Sequence, residues 1–235
     1  MCGISGFVLG QATVPERELT ERLRAMVSTL RHRGPDNVAT WTDGVAGLGH
    51  NRLAVIDLSP SANQPMFSVD GKIGIVFNGE IYNFRNLRSE LESLGYSFWT
   101  HSDTETIVYG YKAWRCGVFE KLRGMFAVAI WGRSARRHVL ARDRVGKKPL
   151  YHTTTRDGFL FGSEIKALLT WPTVERQPDL MAIDQYLTFQ YVPSPRTAFA
   201  GIAKLAPAHY IVLEIGTDGV LSEPRLTRYW ALRLQ

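Results

Sequence analysis

Apolar and polar positions along this chain alternate between two periodicities, and the elements they predict fall into a regular order. Gly3–Leu9 is a short apolar run that predicts a strand. After Pro15, residues Leu19, Leu23, Met26 and Leu30 recur at spacings of four and three, which predicts a helix with one core-facing stripe. Residues 38–41 and 45–48 flank Asp43-Gly44, a strong turn dipeptide, so a hairpin is predicted whose second strand leads into residues 50–57. Residues 72–77 predict a further strand with Asn78-Gly79 standing at its end, where rigid scaffolds commonly present functional loops. Phe84, Leu87, Leu91 and Leu94 mark a second helix closed by Gly95, and Ile107, Tyr111 and Trp114 a third closed near Gly117. Short strands are predicted around residues 125–131, 138–141, 150–152, 159–161 and 209–215. Strands in two groups, with helices between and after them, predict an α+β fold of two packed sheets covered by helices. The character changes near Tyr191, where Val192-Pro193-Ser194-Pro195 is a turn-rich connection and Tyr229-Trp230-Ala231-Leu232 reads as the approach to another domain.

Composition narrows the class of protein. At 235 residues and 45% hydrophobic content the chain can bury a full core, which excludes a disordered chain. No stretch approaches the roughly 18 apolar residues of a membrane span and the N-terminus lacks a secretory pattern, so a cytoplasmic protein is expected. Two cysteines, Cys2 and Cys116, suit a reducing compartment, and Cys116 reads as a buried small residue near a helix end. The net charge of +6 gathers in Arg133, Arg136, Arg137, Arg142, Arg144, Lys147 and Lys148, around two predicted strands. That pattern is a solvated basic hairpin rather than a nucleic-acid surface. The six histidines are scattered without ligand spacing, so no metal site is expected.

Cys2 changes the picture most. Removal of Met1 would make it the first residue of the chain, and a cysteine there carries its own base. A free thiol with a pKa of about 8.5 is only slightly ionised at neutral pH, whereas a free α-amine of pKa about 7.7–8.0 in the same residue can take its proton. While Met1 is attached that nitrogen is an amide and no base. The plainer reading of Cys2 is a small apolar residue opening a strand.

Seven ordered motifs decide between the two: Met1-Cys2-Gly3-Ile4-Ser5-Gly6-Phe7, Arg31-His32-Arg33-Gly34-Pro35-Asp36, His50-Asn51-Arg52-Leu53-Ala54-Val55-Ile56-Asp57, Phe77-Asn78-Gly79-Glu80-Ile81-Tyr82-Asn83, His101-Ser102-Asp103-Thr104-Glu105-Thr106, Arg142-Asp143-Arg144-Val145-Gly146-Lys147-Lys148-Pro149-Leu150-Tyr151 and Gly162-Ser163-Glu164-Ile165-Lys166-Ala167-Leu168. In this order they resemble the glutaminase domain of glutamine-hydrolysing asparagine synthetases, a class II glutamine amidotransferase. The resemblance implies a four-layer αββα sandwich of the N-terminal-nucleophile hydrolase type and hydrolysis of glutamine to glutamate and ammonia through a Cys2 thioester. It implies an oxyanion site made by the Asn78 side-chain amide and the Gly79 backbone N–H. The alternative for Asn78-Gly79, taken alone, is a hairpin turn.

Free glutamine is a zwitterion, so its pocket needs a cation and an anion. Arg52 fits the α-carboxylate through paired hydrogen bonds and Asp103 the α-ammonium. The resemblance adds the backbone of Leu53, Val55 and Ile56 to the pocket and sets Glu80 near the ammonium. Arg52 also reads as a surface ion pair and Asp103 as the cap of the helix behind it, and Asp103 can hold both roles. His32 and Arg33 are expected to shape the loop beside the nucleophile, and residues 143–151 to be structural.

The expected organisation is a glutaminase domain over residues 1–190, then a connection over 191–235 toward a synthetase domain. No Ser-Gly-Gly-Leu-Asp-Ser phosphate-binding loop occurs in these residues, so no cofactor is expected in this chain, and ATP and Mg²⁺ belong to the synthetase domain alone. The expected partners are glutamine and a synthetase domain in cis or in trans, with a homodimer also compatible; nucleic acid and membrane are not expected. Two other readings stay open. One is the glutaminase half of an amidotransferase with a different acceptor, such as a sugar or a peptide carboxylate. The other is a non-catalytic interaction domain.

Overall fold

The computed structural model describes residues 1–10 and 14–232. Two antiparallel six-stranded sheets face each other across a core layer, with helices on both outer surfaces. The first sheet holds β1 (Gly3–Leu9), β2 (Asn37–Thr42), β3 (Ala46–Arg52), and the later strands β8 (Tyr151–Thr155), β9 (Gly158–Gly162) and β10 (Ala203–Lys204), in the order β10-β8-β9-β1-β3-β2. The second holds β4 (Met66–Phe67), β5 (Ile73–Ile81), β6 (Gly124–Gly132), β7 (Arg137–Arg142), β11 (His209–Glu214) and β12 (Arg225–Arg228), in the order β12-β11-β7-β6-β5-β4. Helices α1 (Glu16–Ser28) and α5 (Ile165–Leu168) cover the first sheet, and α2 (Phe84–Ser93), α3 (Asp103–Trp114) and α4 (Val118–Lys121) the second.

Strands with both faces covered must be apolar at odd and even positions alike, which is why β1 and β6 read as unbroken runs. In β1, Ile4 and Val8 face the layer between the sheets while Phe7 and Leu9 pack under α1 beside Leu19, Leu23 and Met26. In β6, Ala127, Ala129 and Trp131 face that inner layer, and Phe126, Val128 and Ile130 face α3 and α4. Each fully buried Leu, Ile or Phe of these layers contributes about 1.5–3 kcal/mol, so no single helix holds the fold.

Most predicted elements are present with shifted ends. The strand predicted over residues 72–77 is β5, and it runs on through Asn78 and Gly79, which pair with Ala127 and Phe126 of β6. The dipeptide therefore lies inside a ladder and is neither a hairpin turn nor a loop. Ser102, not Asp103, caps α3, its side chain accepting the Thr104 N–H at 3.1 Å. Cys116 is half-buried in a short 3-10 turn after α3. Beyond position 190, β10, β11 and β12 join the two sheets, with Ile211 and Leu213 in the inner core layer. Packing of the same two sheets thus continues through the segment expected as a connection. Helix α6 (Leu180–Phe189) has no counterpart among the predicted elements, and the last three positions of that segment lie outside the described residues.

Candidate active site

The site stands at one end of the layer between the sheets, and strand periodicity brings its residues there. Antiparallel pairing of Gly3 with Asn51 sets Cys2 beside Arg52. Ile4, Leu48 and Val76 face the inner layer, so by the period of two Cys2, Arg52, Asn78 and Glu80 extend the same faces toward its open end. All nine residues expected at the site, Cys2, Arg52, Leu53, Val55, Ile56, Asn78, Gly79, Glu80 and Asp103, line a single cavity there. Three further charged or amide residues line it that the sequence reading did not assign: Asp57, Gln64 and Lys148.

Cys2 is held from two directions. The Leu53 N–H donates to its Sγ at 3.3 Å, and the Arg33 Nε donates to its carbonyl at 2.9 Å. Arg33 in turn donates through Nη1 to Glu164 at 2.8 Å, and His32 and Lys166 crowd the same carboxylate. Burial alone would raise the Glu164 pKa, but these three hydrogen bonds bring it down to about 2. His32 and Arg33 do shape the loop beside Cys2. Gly34 makes this packing feasible, since a Cβ there would lie 2.4 Å from the Asn51 carbonyl oxygen. Burial pushes the Cys2 thiol up, opposed by the Leu53 hydrogen bond and by the charges of the terminal amine, Arg52 and Lys148.

Arg52 is buried, and much of its guanidinium is engaged by the loop that follows β3. Its Nη1 donates to the Ser59 carbonyl at 2.8 Å and to Asn63 Oδ1 at 2.6 Å, and its Nη2 donates to the Asp57 carbonyl. It is no surface ion pair. Asp57 closes the same loop onto α3, accepting from Ser59 and from the His101 N–H at 2.9 Å. Burial raises the Asp57 carboxyl, but Ser59, His101 and Arg52 bring it net below its ordinary value.

The β5 wall is built differently. The Tyr82 N–H bonds across to Arg123 beside β6, so the N–H groups of Phe77, Gly79 and Ile81, at the opposite parity, point away from that strand. Gln64 accepts the Phe77 N–H at 2.6 Å and Asp103 accepts the Ile81 N–H at 2.9 Å. By the same parity the Gly79 N–H between them points away from β6, and outside that ladder no partner for it is found among the described residues. Neither end of the Asn78 side-chain amide has one either, although Asn78 is only 1% exposed. Buried amides are bonded as a rule; Asn51 is likewise unbonded at both ends, but of the two only Asn78 lines this cavity. Glycine at position 79 is required by the sheet rather than by close approach of a substrate: a Cβ there would lie 2.1 Å from the Met125 carbonyl oxygen.

Asp103 sits in the first turn of α3, and burial raises its carboxyl to about 6 despite the hydrogen bonds from Ile81 and Thr104, with Glu80 adding to the rise. His50 lies behind the site. Its Nε2 is 3.1 Å from the Phe77 carbonyl, which only accepts, so the ring proton is on Nε2, and burial holds its pKa at about 4. Gln64 carries no local signal in the sequence, because its partners Phe77 and Thr104 are long-range. Lys148 lies inside a motif that was expected to be structural only.

The family model of the glutamine amidotransferase domain matches residues 1–230. The chain is 40% identical over 220 residues to asparagine synthetase [glutamine-hydrolyzing] 1 of Bacillus subtilis, covering 93% of this chain and 34% of that protein. It is 36% identical over 234 residues to asparagine synthetase [glutamine-hydrolyzing] 3 of the same organism, covering 98% and 36%. It thus spans about a third of the length of the curated relatives it matches. Among solved structures, glutamine phosphoribosylpyrophosphate amidotransferase of B. subtilis aligns with a TM-score of 0.68 at 17% identity, over 98% of this chain and 49% of that one. This likeness, with the two packed sheets between outer helices, shows the expected four-layer αββα sandwich. With the match running through nearly the whole chain and the motif residues gathered in one cavity, the chain belongs to the glutamine amidotransferase family.

Proposed function

We propose that the chain hydrolyses glutamine to glutamate and ammonia, with Cys2 as nucleophile once Met1 has been removed. The observation that carries this reading is the placing of Cys2 in one cavity with the unbonded Asn78 amide and with Gly79, whose N–H points away from β6. In the processed chain the α-amine of Cys2 takes the thiol proton and the thiolate attacks the side-chain amide carbon of glutamine. The carbonyl oxygen becomes an oxyanion, received by the Asn78 Nδ2–H and the Gly79 N–H. As the tetrahedral adduct collapses, the C–N bond breaks and the α-ammonium returns its proton to the departing ammonia. Water, deprotonated by the same amine, then attacks the thioester and frees glutamate and the thiol. Arg52 binds the substrate carboxylate with the part of its guanidinium not tied to the loop. Asp103 and Glu80 bind the ammonium, while the backbone of Leu53, Val55 and Ile56 borders the substrate.

The ammonia passes to an ATP-using synthetase domain of the asparagine synthetase type, with aspartate as acceptor. The names of the relatives support that partner. So does α6, which leaves Leu180, Tyr186, Leu187 and Phe189 exposed beyond what an isolated surface helix needs. Intact-mass measurement combined with a glutaminase assay tests the reading: activity should appear only in molecules that have lost Met1. Activity in wholly unprocessed chain, or none in processed chain, overturns it.

A further inference from the structure

Lys148 is the group in the cavity for which the reaction as described has no use. It is 5% exposed and lines the cavity with Cys2 and Glu80. Among the described residues no carboxylate lies within 4 Å of its ammonium, whereas Lys112, Lys121 and Lys166 are all ion-paired. Burying an unpaired cation is costly, and a protein rarely keeps one without a use.

The loop that carries it is shaped without the help of its side chain. Asp143 accepts the N–H groups of Val145, Lys147 and Lys148 at 2.9–3.2 Å, and it reaches across to the Phe126 N–H of β6. Arg142 donates to the carbonyls of Gly146, Lys148 and Leu205, each at 2.7 Å, and Gly146 takes the turn at φ +70°. Two charged side chains and a glycine thus fix the backbone, and what they hold in the cavity is the Lys148 ammonium. The charges facing it and Cys2 are Arg33 before β2, Arg52 on β3, Asp57 after β3, Glu80 on β5, Asp103 on α3, Asp143 after β7 and the terminal amine. Asp57, Asp103 and Asp143 are bonded elsewhere, and Arg33 and Arg52 donate chiefly to Glu164 and to the loop after β3. With the terminal amine and Arg52, Lys148 is one of three cations that favour negative charge at the sulfur, and of the two side chains it is the one not tied to the loop after β3.

We infer that Lys148 is a positioning residue for the nucleophile, a fixed positive charge that favours the Cys2 thiolate over the thiol. The inference rests on Cys2 being the nucleophile, as proposed above. Burial lowers the Lys148 pKa, with Glu80 and Cys2 drawing it back up, so the lysine and the thiol support each other's charged forms.

The test follows the rate of Cys2 alkylation by iodoacetamide against pH, resolved by peptide mass spectrometry, with half-buried Cys116 as internal control. It reads the thiol whether or not Met1 has been removed and whether or not glutamine is hydrolysed, so its failure is separable from failure of the proposed function. In Lys148→Met the Cys2 profile should move up by about one pH unit, making alkylation at neutral pH about tenfold slower. Lys148→Arg should stay within about twofold of the wild type, and the Cys116 profile should not move. Thermal melting should find Lys148→Met at least as stable as the wild type, because a buried unpaired charge is gone. An unchanged Cys2 profile in folded Lys148→Met overturns the inference, and a raised KM for glutamine with that unchanged profile reassigns Lys148 to substrate binding. Loss of folding in both Lys148→Met and Lys148→Gln also overturns it, since the lysine would then be holding the loop.

Discussion

The two walls of the cavity treat their polar groups in opposite ways. On the β3 side, Arg52 and Asp57 are bonded to carbonyls, a side-chain amide and a hydroxyl of the protein. On the β5 side, the Asn78 amide and the Gly79 N–H are left open, between neighbours whose N–H groups are taken by Gln64 and Asp103. A group already bonded contributes to shape and holds others in place. An open one retains its hydrogen-bonding capacity for a charge that forms during reaction, where it is worth most. Substitutions of the bonded groups should therefore affect stability and binding together, and those of the open Asn78 amide should affect rate alone.

The sharpest break comes where the walls meet. Cys2→Ala should remove glutamine hydrolysis altogether with the fold intact, because no other residue in the cavity combines a nucleophile with a base; turnover in folded Cys2→Ala would end the mechanism. Next, Asn78→Ala should lower kcat by about 10²- to 10³-fold, the usual effect of losing one oxyanion donor. Its melting temperature should hardly change, since the amide has no protein partner to lose. Steady-state kinetics and calorimetry on the same sample check both halves, and a raised KM with kcat preserved would make Asn78 a substrate anchor.

Arg52→Ala belongs to the other wall and should show the mixed behaviour. Three contacts to the loop after β3 are lost, so unfolding free energy should fall by about 1–3 kcal/mol. Loss of the carboxylate partner should raise KM about 10- to 100-fold with a smaller change in kcat. Urea titration and glutamine saturation curves measure the two effects, and a stable variant with unchanged KM would dissolve the contrast between the walls.

Asp103 adds a pH test. Its carboxyl is raised from the ordinary 3.8 to about 6, so the stability it allows is full below 3.8 and is lost as pH rises through 6. Binding of an ammonium needs the charged form, so KM for glutamine should rise as pH falls through about 6. Asp103→Asn should flatten that limb of the profile and become more stable relative to wild type as pH increases. Parallel pH slopes for the two proteins would remove Asp103 from both roles.

Much of the gathering of these residues in one cavity is legible in the sequence. The period of two carries Cys2, Arg52, Asn78 and Glu80 to one layer, and ordered motifs tie them to a known chemistry. The continuation of β5 through Asn78-Gly79 was hidden because Asn-Gly is the strongest short turn signal, and only pairing with β6 overrides it. Lys148 was hidden because its loop has no periodicity from which a side-chain direction can be read. Gln64 was hidden because both of its partners lie far away in sequence. Helix α6 has no core-facing stripe for a periodicity to reveal: residues 180–189 are rich in apolar side chains, and most of them face outward rather than onto this domain.

The smallest expected effect is the one furthest from the sulfur. Glu164 touches neither substrate nor Cys2; it holds Arg33, which holds the Cys2 carbonyl at 2.9 Å. Glu164→Gln keeps a neutral acceptor for Arg33 and removes the anion that His32 and Lys166 share, so kcat should fall by only about two- to fivefold through slight misplacement of the nucleophile. Its pKa is depressed from the ordinary 4.5 to about 2, so its contribution to stability is present above 4.5 and is lost as pH falls through 2. The wild type should therefore melt above Glu164→Gln at neutral pH, and the gap should narrow steadily as pH is lowered from about 4.5. The group is partly exposed, so added salt should narrow the gap as well. A gap that stays constant across acid pH and salt would mean that Glu164 acts by packing, and the chain of contacts from Glu164 through Arg33 to Cys2 would lose its electrostatic basis.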